Sequence, residues 1–176
     1  MKEIKLFIAM SLDGYIADSK GRVDWLAGQG NDDENIDTYS DFIKDIDTVI
    51  MGWNTYHQIV TELSPEKWVY EDLTTYVVTH RSEASSDKIH FTNENPVELV
   101  KRLQNGNGKG IWICGGANLI WQLVKENMID NYYITVIPTI LGAGISLFGE
   151  ADHEIKLRLL KVQSYNGMTD LIYTRR

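Results

Sequence analysis

The chain has 176 residues, of which 43% are hydrophobic and 24% are charged. This size predicts one domain spanning residues 1–176, since a domain takes roughly 100–200 residues, and the composition excludes a disordered, collagenous or coiled-coil chain. The 25 acidic residues outnumber the 17 basic ones and give a net charge of −8, so nucleic acid, which needs a basic surface, is not an expected partner.

The first half of the chain alternates predicted strands and helices. An apolar run over residues 4–10 predicts a buried strand. Apolar residues at helical spacing predict a helix over 36–46, and a second buried strand is predicted over 48–51. A short helix is expected to begin near Asn54, and a third strand is expected over 76–79.

The alternation continues after residue 90. The pair Asn95-Pro96 is a helix-start signal, and this helix is expected to end at the glycine-rich turn over 106–108. A fourth strand is predicted over 111–114, a helix over 117–125 and a fifth strand over 132–137.

The end of the chain has a different pattern. Two runs of strand-forming residues, 155–165 and 168–174, flank the pair Asn166-Gly167. An Asn-Gly pair between strands is the strongest short-range signal for a hairpin. We therefore expect an α/β fold whose central sheet is mostly parallel, with an antiparallel C-terminal hairpin at its edge.

Cysteine usage and apolar runs exclude further classes. Cys114 is the only cysteine, which excludes a disulfide framework and a multi-cysteine zinc site. The apolar stretch before Asp13 is too short for a signal peptide. The uncharged run over 132–148 is shorter than the roughly 20 residues that a membrane helix needs. We expect a cytoplasmic protein with no membrane partner and no metal.

Two strand-to-helix junctions share a chemical property. They lie within residues 49–56 and 111–119, and each has glycine at the end of a predicted strand. The backbone can approach a ligand there, and the helix that follows presents free N–H groups suited to a phosphate. Glycines that merely make tight turns are the alternative. No GxGxxG or GxxxxGK[ST] motif is present, so neither a Rossmann fingerprint nor a P-loop is indicated.

A third strand end reads Thr79-His80-Arg81. The planar fork of an arginine binds phosphate well, and this arginine would suit the 2′-phosphate of NADP. An exposed strand end with ordinary polar residues is the alternative interpretation.

Four motifs, within residues 8–17, 49–56, 115–119 and 137–148, occur in this order along the chain. Together they resemble the dihydrofolate reductase-like superfamily. The resemblance is closest to the RibD C-terminal-like family, named for the C-terminal reductase domain of the bifunctional riboflavin-biosynthesis deaminase-reductase.

The resemblance implies a three-layer α/β/α fold and NADPH as hydride donor to a small heterocyclic substrate. The activity would be that of a 5-amino-6-(5-phosphoribosylamino)uracil reductase of riboflavin biosynthesis or of a dihydrofolate reductase. A homodimer is also implied, formed near residues 141–144 and the final hairpin. A non-catalytic nucleotide-binding or sensing module on the same fold is the alternative function.

The resemblance further implies roles for individual residues. Ala9 and Ile16 are expected to line the nicotinamide pocket. Trp25 lies in the loop that closes over the nicotinamide in this superfamily, with a place in the core as the alternative. The residues expected to contact the phosphates and adenosine are Gly52, Asn54, Thr55, Thr79, His80, Arg81, Gly115, Gly116, Ala117, Asn118 and Leu119.

Two carboxylates are candidates for the proton donor. Dihydrofolate reductases supply one acid from the helix after the flexible loop, and Asp37 is nearest to that place here. Asp13 is the second candidate. A solvated helix face and a turn before Gly14 are the respective alternatives.

Three positions depart from the related patterns. Phe7 stands where the riboflavin branch usually has lysine, and Cys114 stands where it usually has glutamate. Trp53 replaces an arginine of true dihydrofolate reductases that contacts the cofactor phosphate. An apolar ring and a thiol cannot replace the family's charges, so these departures bear on the substrate more than on the fold.

Overall fold

A computed structural model describes all residues from 1 to 176. Its strands are β1 (Ile4–Ser11), β2 (Tyr15–Ala17), β3 (Ile46–Gly52), β4 (Thr74–Val78), β5 (Ile89–Thr92), β6 (Gly110–Gly115), β7 (Asn131–Ile137), β8 (Ile145–Ser146), β9 (Leu157–Tyr165) and β10 (Met168–Arg175). Its helices are α1 (Thr38–Ile43), α2 (Trp53–Gln58), α3 (Pro96–Gln104) and α4 (Ala117–Lys125). A π-helical turn, Ile59–Leu63, continues α2.

Eight strands form one sheet in the order β5-β4-β3-β6-β1-β7-β10-β9. Every pair from β5 to β7 is parallel, and β10 pairs antiparallel with both β7 and β9. The short strands β2 and β8 pair with each other beside this sheet. The predicted α/β class, with a mostly parallel sheet and an antiparallel C-terminal hairpin, is confirmed.

Alternating side chains of the central strands fill two cores, one on each face of the sheet. On β6, Ile111 and Ile113 join the core beneath α3 and α4, whereas Trp112 joins the opposite core with Phe42 of α1. Successive residues of a strand point to opposite faces, so a strand buried on both faces consists of apolar residues throughout. The three-layer arrangement, helix on sheet on helix, is thus confirmed.

Local sequence signals explain where α3 begins and where the C-terminal hairpin turns. The Asn95 side chain caps α3 by accepting from the Val97 N–H at 2.9 Å, and Pro96 occupies the first turn as predicted. In the hairpin, Asn166 and Gly167 have φ angles of 48° and 74°, which a two-residue turn between twisted strands requires. Asn166 is buried, and its side chain accepts from the Asn31 N–H at 2.9 Å, which anchors the loop after β2 to the hairpin.

Some predicted boundaries were wrong. The helix predicted over 36–46 is shorter, because Asp37 caps it and Ile46 already belongs to β3. Strands β2, β5 and β8 were not predicted. Each has four residues or fewer, too short to show a periodic pattern. None of the helices has the length and apolar character needed to cross a membrane.

Candidate functional site

A cleft of about 1270 Å³ opens at the carboxyl ends of the central strands. Its lining includes residues at or just beyond the carboxyl ends of β1, β3, β4 and β6. Ligands of parallel α/β sheets bind in such crevices. Pockets for single small ligands usually measure about 300–1,000 Å³, so this cleft has room for more than one small molecule.

The two glycine junctions face each other in the cleft. Gly52 and Gly116 are the residues that precede α2 and α4, and neither helix has a side-chain cap. A Cβ atom added to Gly52 would lie 3.7 Å from the Gly116 backbone nitrogen. The N–H groups at the start of the nine-residue helix α4 are therefore not used by a capping side chain, which is the condition for binding an anion there.

Gly115 keeps this junction open. Its φ angle of +148° disfavours any residue with a side chain, and an added Cβ would lie 3.3 Å from Thr55 Oγ1. The peptide bond between Gly115 and Gly116 is cis. The Thr55 hydroxyl thus lies directly against the glycine pair, and both line the cleft.

Most of the residues expected to contact a cofactor are brought together by the fold. Those that line the cleft are Ala9, Ile16, Gly52, Asn54, Thr55, Thr79, His80, Gly115, Gly116, Ala117, Asn118 and Leu119. Their individual roles toward a cofactor stay predictions.

Trp25 and Arg81 do not line the cleft. The Trp25 indole donates to the Arg22 carbonyl at 3.2 Å, although Val23 and Leu26 beside it do reach the cleft. Arg81 lies with its guanidinium carbon 4.8 Å from the centre of the Trp53 ring, and Trp53 is a lining residue. Arg81 is thus placed behind the rim of the cleft.

The structure gives Asp37 and Asp13 other partners. Asp37 is exposed and caps α1 by accepting from the Ser40 side chain and backbone, which lowers the pKa of its carboxyl group. Neither carboxylate lines the cleft. A proton-donor role for Asp37 stays a prediction that this geometry does not favour.

Asp13 links two loops. Its carboxylate accepts from the Ser11 hydroxyl at 2.6 Å, from the Leu141 N–H at 3.1 Å and from the Gly142 N–H at 2.8 Å. These bonds, that from Ser11 above all, lower the pKa of Asp13. An ionised carboxylate has no proton to give at neutral pH. A proton-donor role for Asp13 therefore also stays a prediction that this geometry does not favour.

One end of the cleft is lined by aromatic side chains and a thiol, and we call it the aromatic end. Its residues are Phe7, Tyr39, Tyr70, Trp112 and Cys114. The Trp112 ring centre lies 6.2 Å from that of Phe7, 5.9 Å from that of Tyr39 and 5.0 Å from that of Tyr70. Sequence reasoning noted Phe7 and Cys114 but missed the other three, whose only signal is their aromatic character.

The aromatic end is electrically neutral. Burial raises the pKa of the Cys114 thiol to about 12, and it also raises the pKa of the Tyr70 and Tyr39 hydroxyls. All three groups therefore stay protonated at neutral pH. Lys20 is the one lysine or arginine among the residues that line the cleft.

Proteins with similar sequences and structures cover the whole length of the chain. YwjB of Bacillus subtilis (strain 168), whose function is not established, is 41% identical over 173 residues, covering 97% of this chain and 96% of YwjB. A crystal structure of a Shewanella sp. PV-4 protein, assigned provisionally to riboflavin biosynthesis, has a TM-score of 0.84 at 30% identity, with 99% of both chains covered.

A bifunctional protein has the same fold as this chain but little sequence similarity to it. The Thermotoga maritima diaminohydroxyphosphoribosylaminopyrimidine deaminase/5-amino-6-(5-phosphoribosylamino)uracil reductase has a TM-score of 0.72 at 15% identity, and the match covers 57% of it. The sequence profile of the RibD C-terminal domain matches residues 2–170. This chain therefore belongs to the RibD C-terminal domain family.

Proposed function

We propose that this protein is an NADPH-dependent reductase of a small heterocycle, acting in the cytoplasm as a homodimer. The observation that carries the proposal is the pair of uncapped glycine junctions, Gly52 and Gly116, which face each other in a large cleft. Family membership supports a fold of the riboflavin-pathway reductase type.

The residues present fit a dinucleotide diphosphate. The first turn of α4 offers backbone N–H groups and the positive end of the helix dipole. Thr55 adds a hydroxyl group, and Asn54 and Asn118 add side-chain amides. These donors are neutral, so a diphosphate can be held without lysine in a protein whose net charge is −8.

Apolar residues of the cleft suit the nicotinamide. Ala9 and Ile16 offer a small apolar surface beside the aromatic end. Thr79 and His80, with Arg81 behind the rim, would serve the adenosine 2′-phosphate. In these assignments the cofactor would contact residues at the ends of β1, β3, β4 and β6.

The chemistry itself belongs to the cofactor. When bound, NADPH supplies a hydride, and a C=N bond that takes the hydride on carbon and a proton on nitrogen becomes CH–NH while NADPH becomes NADP⁺. The chain's own residues bind and orient both molecules and exclude water from the space between them.

A thermal denaturation experiment tests cofactor binding. A ligand at 100 times its Kd stabilises a protein by about 2.7 kcal/mol, which raises the Tm of a chain of this size by roughly 5–10 °C. We expect this rise with NADPH and a smaller one with NADH. Absence of a rise with either nucleotide contradicts the proposal.

Gly52→Ala provides the matched variant. Gly52 has a φ angle of −81°, which alanine adopts freely. Its methyl group would lie 3.7 Å from the Gly116 nitrogen and would narrow the space between the two glycine junctions. We expect Gly52→Ala to have an unchanged Tm without nucleotide and to lose the NADPH-induced rise. Ala84→Val, on an exposed loop, is expected to keep the Tm of the unaltered protein and the NADPH-induced rise.

Binding of NADPH without its oxidation by any pterin or aminopyrimidine would instead indicate the non-catalytic nucleotide-binding module.

A further inference from the structure

The aromatic end of the cleft defines a class of substrate, in an inference that rests on the proposed function. We propose that this end binds a flat, uncharged heteroaromatic ring that carries no phosphate group. The proposal comes from the juxtaposition of four aromatic rings and a neutral thiol beside the glycine junction.

The rings pack against one another and form one wall of the cleft. Phe7, Tyr39 and Tyr70 each lie within 6.2 Å of the Trp112 ring centre, and Phe7 and Trp112 meet at an interplanar angle of 86°. The Trp112 indole is fixed because its N–H donates to the Phe7 carbonyl at 3.2 Å. Aromatic pairs prefer edge-to-face or offset-stacked contacts, so a planar ring in the cleft can pack against this fixed aromatic wall.

This space adjoins the proposed cofactor site. Residues two apart on a strand share a face, so Phe7 lies on the same face of β1 as Ala9. Cys114 immediately precedes the Gly115-Gly116 pair on β6. A ring held at the aromatic end would therefore lie next to a nicotinamide placed against Ala9.

The surroundings are unsuited to a phosphate group. Burying a charge without a partner is strongly unfavourable, and the aromatic end supplies no cation. Lys5, the lysine nearest to Phe7 along β1, faces a separate cavity of about 200 Å³ and lies 3.3 Å from Glu3 and 3.9 Å from Asp45. Phe7 borders both cavities, whereas Lys5 lines only the smaller one.

The hydroxyl groups add polar recognition without charge. Tyr39 is partly exposed to the cleft, with 37% of its surface accessible. Tyr70 and Cys114 line the same end of the cleft. Neutral donors of this kind match the ring nitrogen and carbonyl acceptors of a pterin- or pyrimidine-like molecule.

Binding of a matched ligand pair tests the proposal. We would titrate the protein, with and without NADP⁺, with 5-amino-6-(5-phosphoribosylamino)uracil and with its dephosphorylated form, using calorimetry. The dephosphorylated molecule is expected to bind at least tenfold more tightly. Equal or tighter binding of the phosphorylated molecule, or binding of neither, overturns the proposal.

Two variants identify the aromatic end as the site. Tyr39→Ala is expected to weaken binding of the dephosphorylated ligand about tenfold, whereas Phe148→Ala, whose side chain packs on Trp121 outside the cleft, leaves it unchanged. Phe7→Lys is expected to shift the preference toward the phosphorylated ligand. If Tyr39→Ala has no effect on binding, the proposal fails.

The titration also separates this proposal from the proposed function. NADP⁺ is titrated alone in parallel. If NADP⁺ does not bind but the dephosphorylated ligand still binds more tightly than the phosphorylated one, the reductase proposal is contradicted and the proposed substrate class is supported. NADP⁺ binding with a preference for phosphate contradicts the substrate class alone.

Discussion

The guanidinium carbon of Arg81 lies 4.8 Å from the centre of the Trp53 ring. Trp53 is the first residue of α2 and lines the cleft, whereas Arg81 follows β4 and is exposed. The stacking holds a positive charge behind the rim of the cleft without an acidic partner. The Trp53 indole thereby positions the Arg81 guanidinium.

Arg81→Ala is expected to reduce the preference for NADPH over NADH by about tenfold or more. A hydrogen bond to a charged group contributes about 1.5–3 kcal/mol, and each 1.4 kcal/mol is about tenfold in affinity. The dissociation constants of both nucleotides, measured by tryptophan fluorescence, check this. Lys101→Ala, which removes a charge paired with Glu98 on the surface of α3, is the control. An equal loss of affinity for both nucleotides would show that Arg81 only supports Trp53.

Cys114 is expected to resist alkylation in the folded protein. Burial raises the pKa of its thiol to about 12, so only about 10⁻⁴ of it is thiolate at pH 8, and the thiolate is the reactive form. The rate of iodoacetamide labelling, followed by mass spectrometry, should rise more than about a hundredfold in concentrated urea. Free glutathione under both conditions controls for the reagent. Rapid labelling of the native protein would contradict a thiol that stays protonated.

The core strands could be predicted because each one has a local apolar pattern in the sequence. Strand β3, for example, contains three consecutive apolar residues, 49–51, that are buried. Strands such as β5 are four half-buried residues whose partner comes from elsewhere in the chain, so no local pattern marks them. The helix predicted over 36–46 was too long because Ile46 has helical spacing from Phe42 yet is held in β3.

The two ends of the cleft also differ in how far they could be predicted from the sequence. Each glycine junction is contiguous in sequence, so its chemistry was visible before its position was known. The aromatic end unites Phe7, Tyr39, Tyr70 and Trp112 from four separate segments. Tyr70 lies in a turn region outside every predicted element. Only the packing of the fold places these side chains together.

Asp37→Ser is expected to preserve both folding and turnover. Serine retains a side-chain oxygen that can cap α1, and Asp37 does not line the cleft. Asp37→Ala is expected to lower the Tm, because the Ser40 N–H loses its partner. The kcat of NADPH oxidation and the Tm of both variants separate the two roles. A large fall in kcat for Asp37→Ser at unchanged Tm would establish Asp37 as the proton donor after all.

Asp47 is expected to make stability depend on acid pH. Burial opposes ionisation of its carboxylate, but hydrogen bonds from Lys2 at 2.6 Å, Thr48 at 2.7 Å and the Lys109 N–H at 2.6 Å lower its pKa overall. A carboxyl group whose pKa is lower in the folded than in the unfolded state stabilises the fold above about pH 4, and the effect disappears as the pH falls through the folded value.

Asp47→Asn should accordingly lower the free energy of unfolding by about 1 kcal/mol at pH 7, since the side chain is partly exposed. The difference from the unaltered protein should shrink below pH 3. Urea denaturation at several pH values measures it, with Asp87→Asn on an exposed loop as the control. A difference that is constant across this pH range would contradict the role of the charge.

Strand β9 is expected to contribute to a homodimer. It is an edge strand of the eight-stranded sheet, and it exposes Leu159 by 51%, Leu160 by 54% and Val162 by 55%. An exposed apolar edge strand offers unpaired backbone groups to a second chain, and soluble monomers rarely leave such patches uncovered.

Light scattering should give a mass of twice 20.1 kDa for the unaltered protein. The double variant Leu160→Lys/Val162→Lys should give 20.1 kDa, because two charges would be buried against the partner without compensation. Val69→Lys, at a half-exposed apolar position outside β9 and the cleft, should remain a dimer. A monomer mass at all concentrations would exclude the dimer. A double variant that stays dimeric would place the interface on another surface. The loop over 141–144 is the next candidate, because Ile140 beside it is 71% exposed.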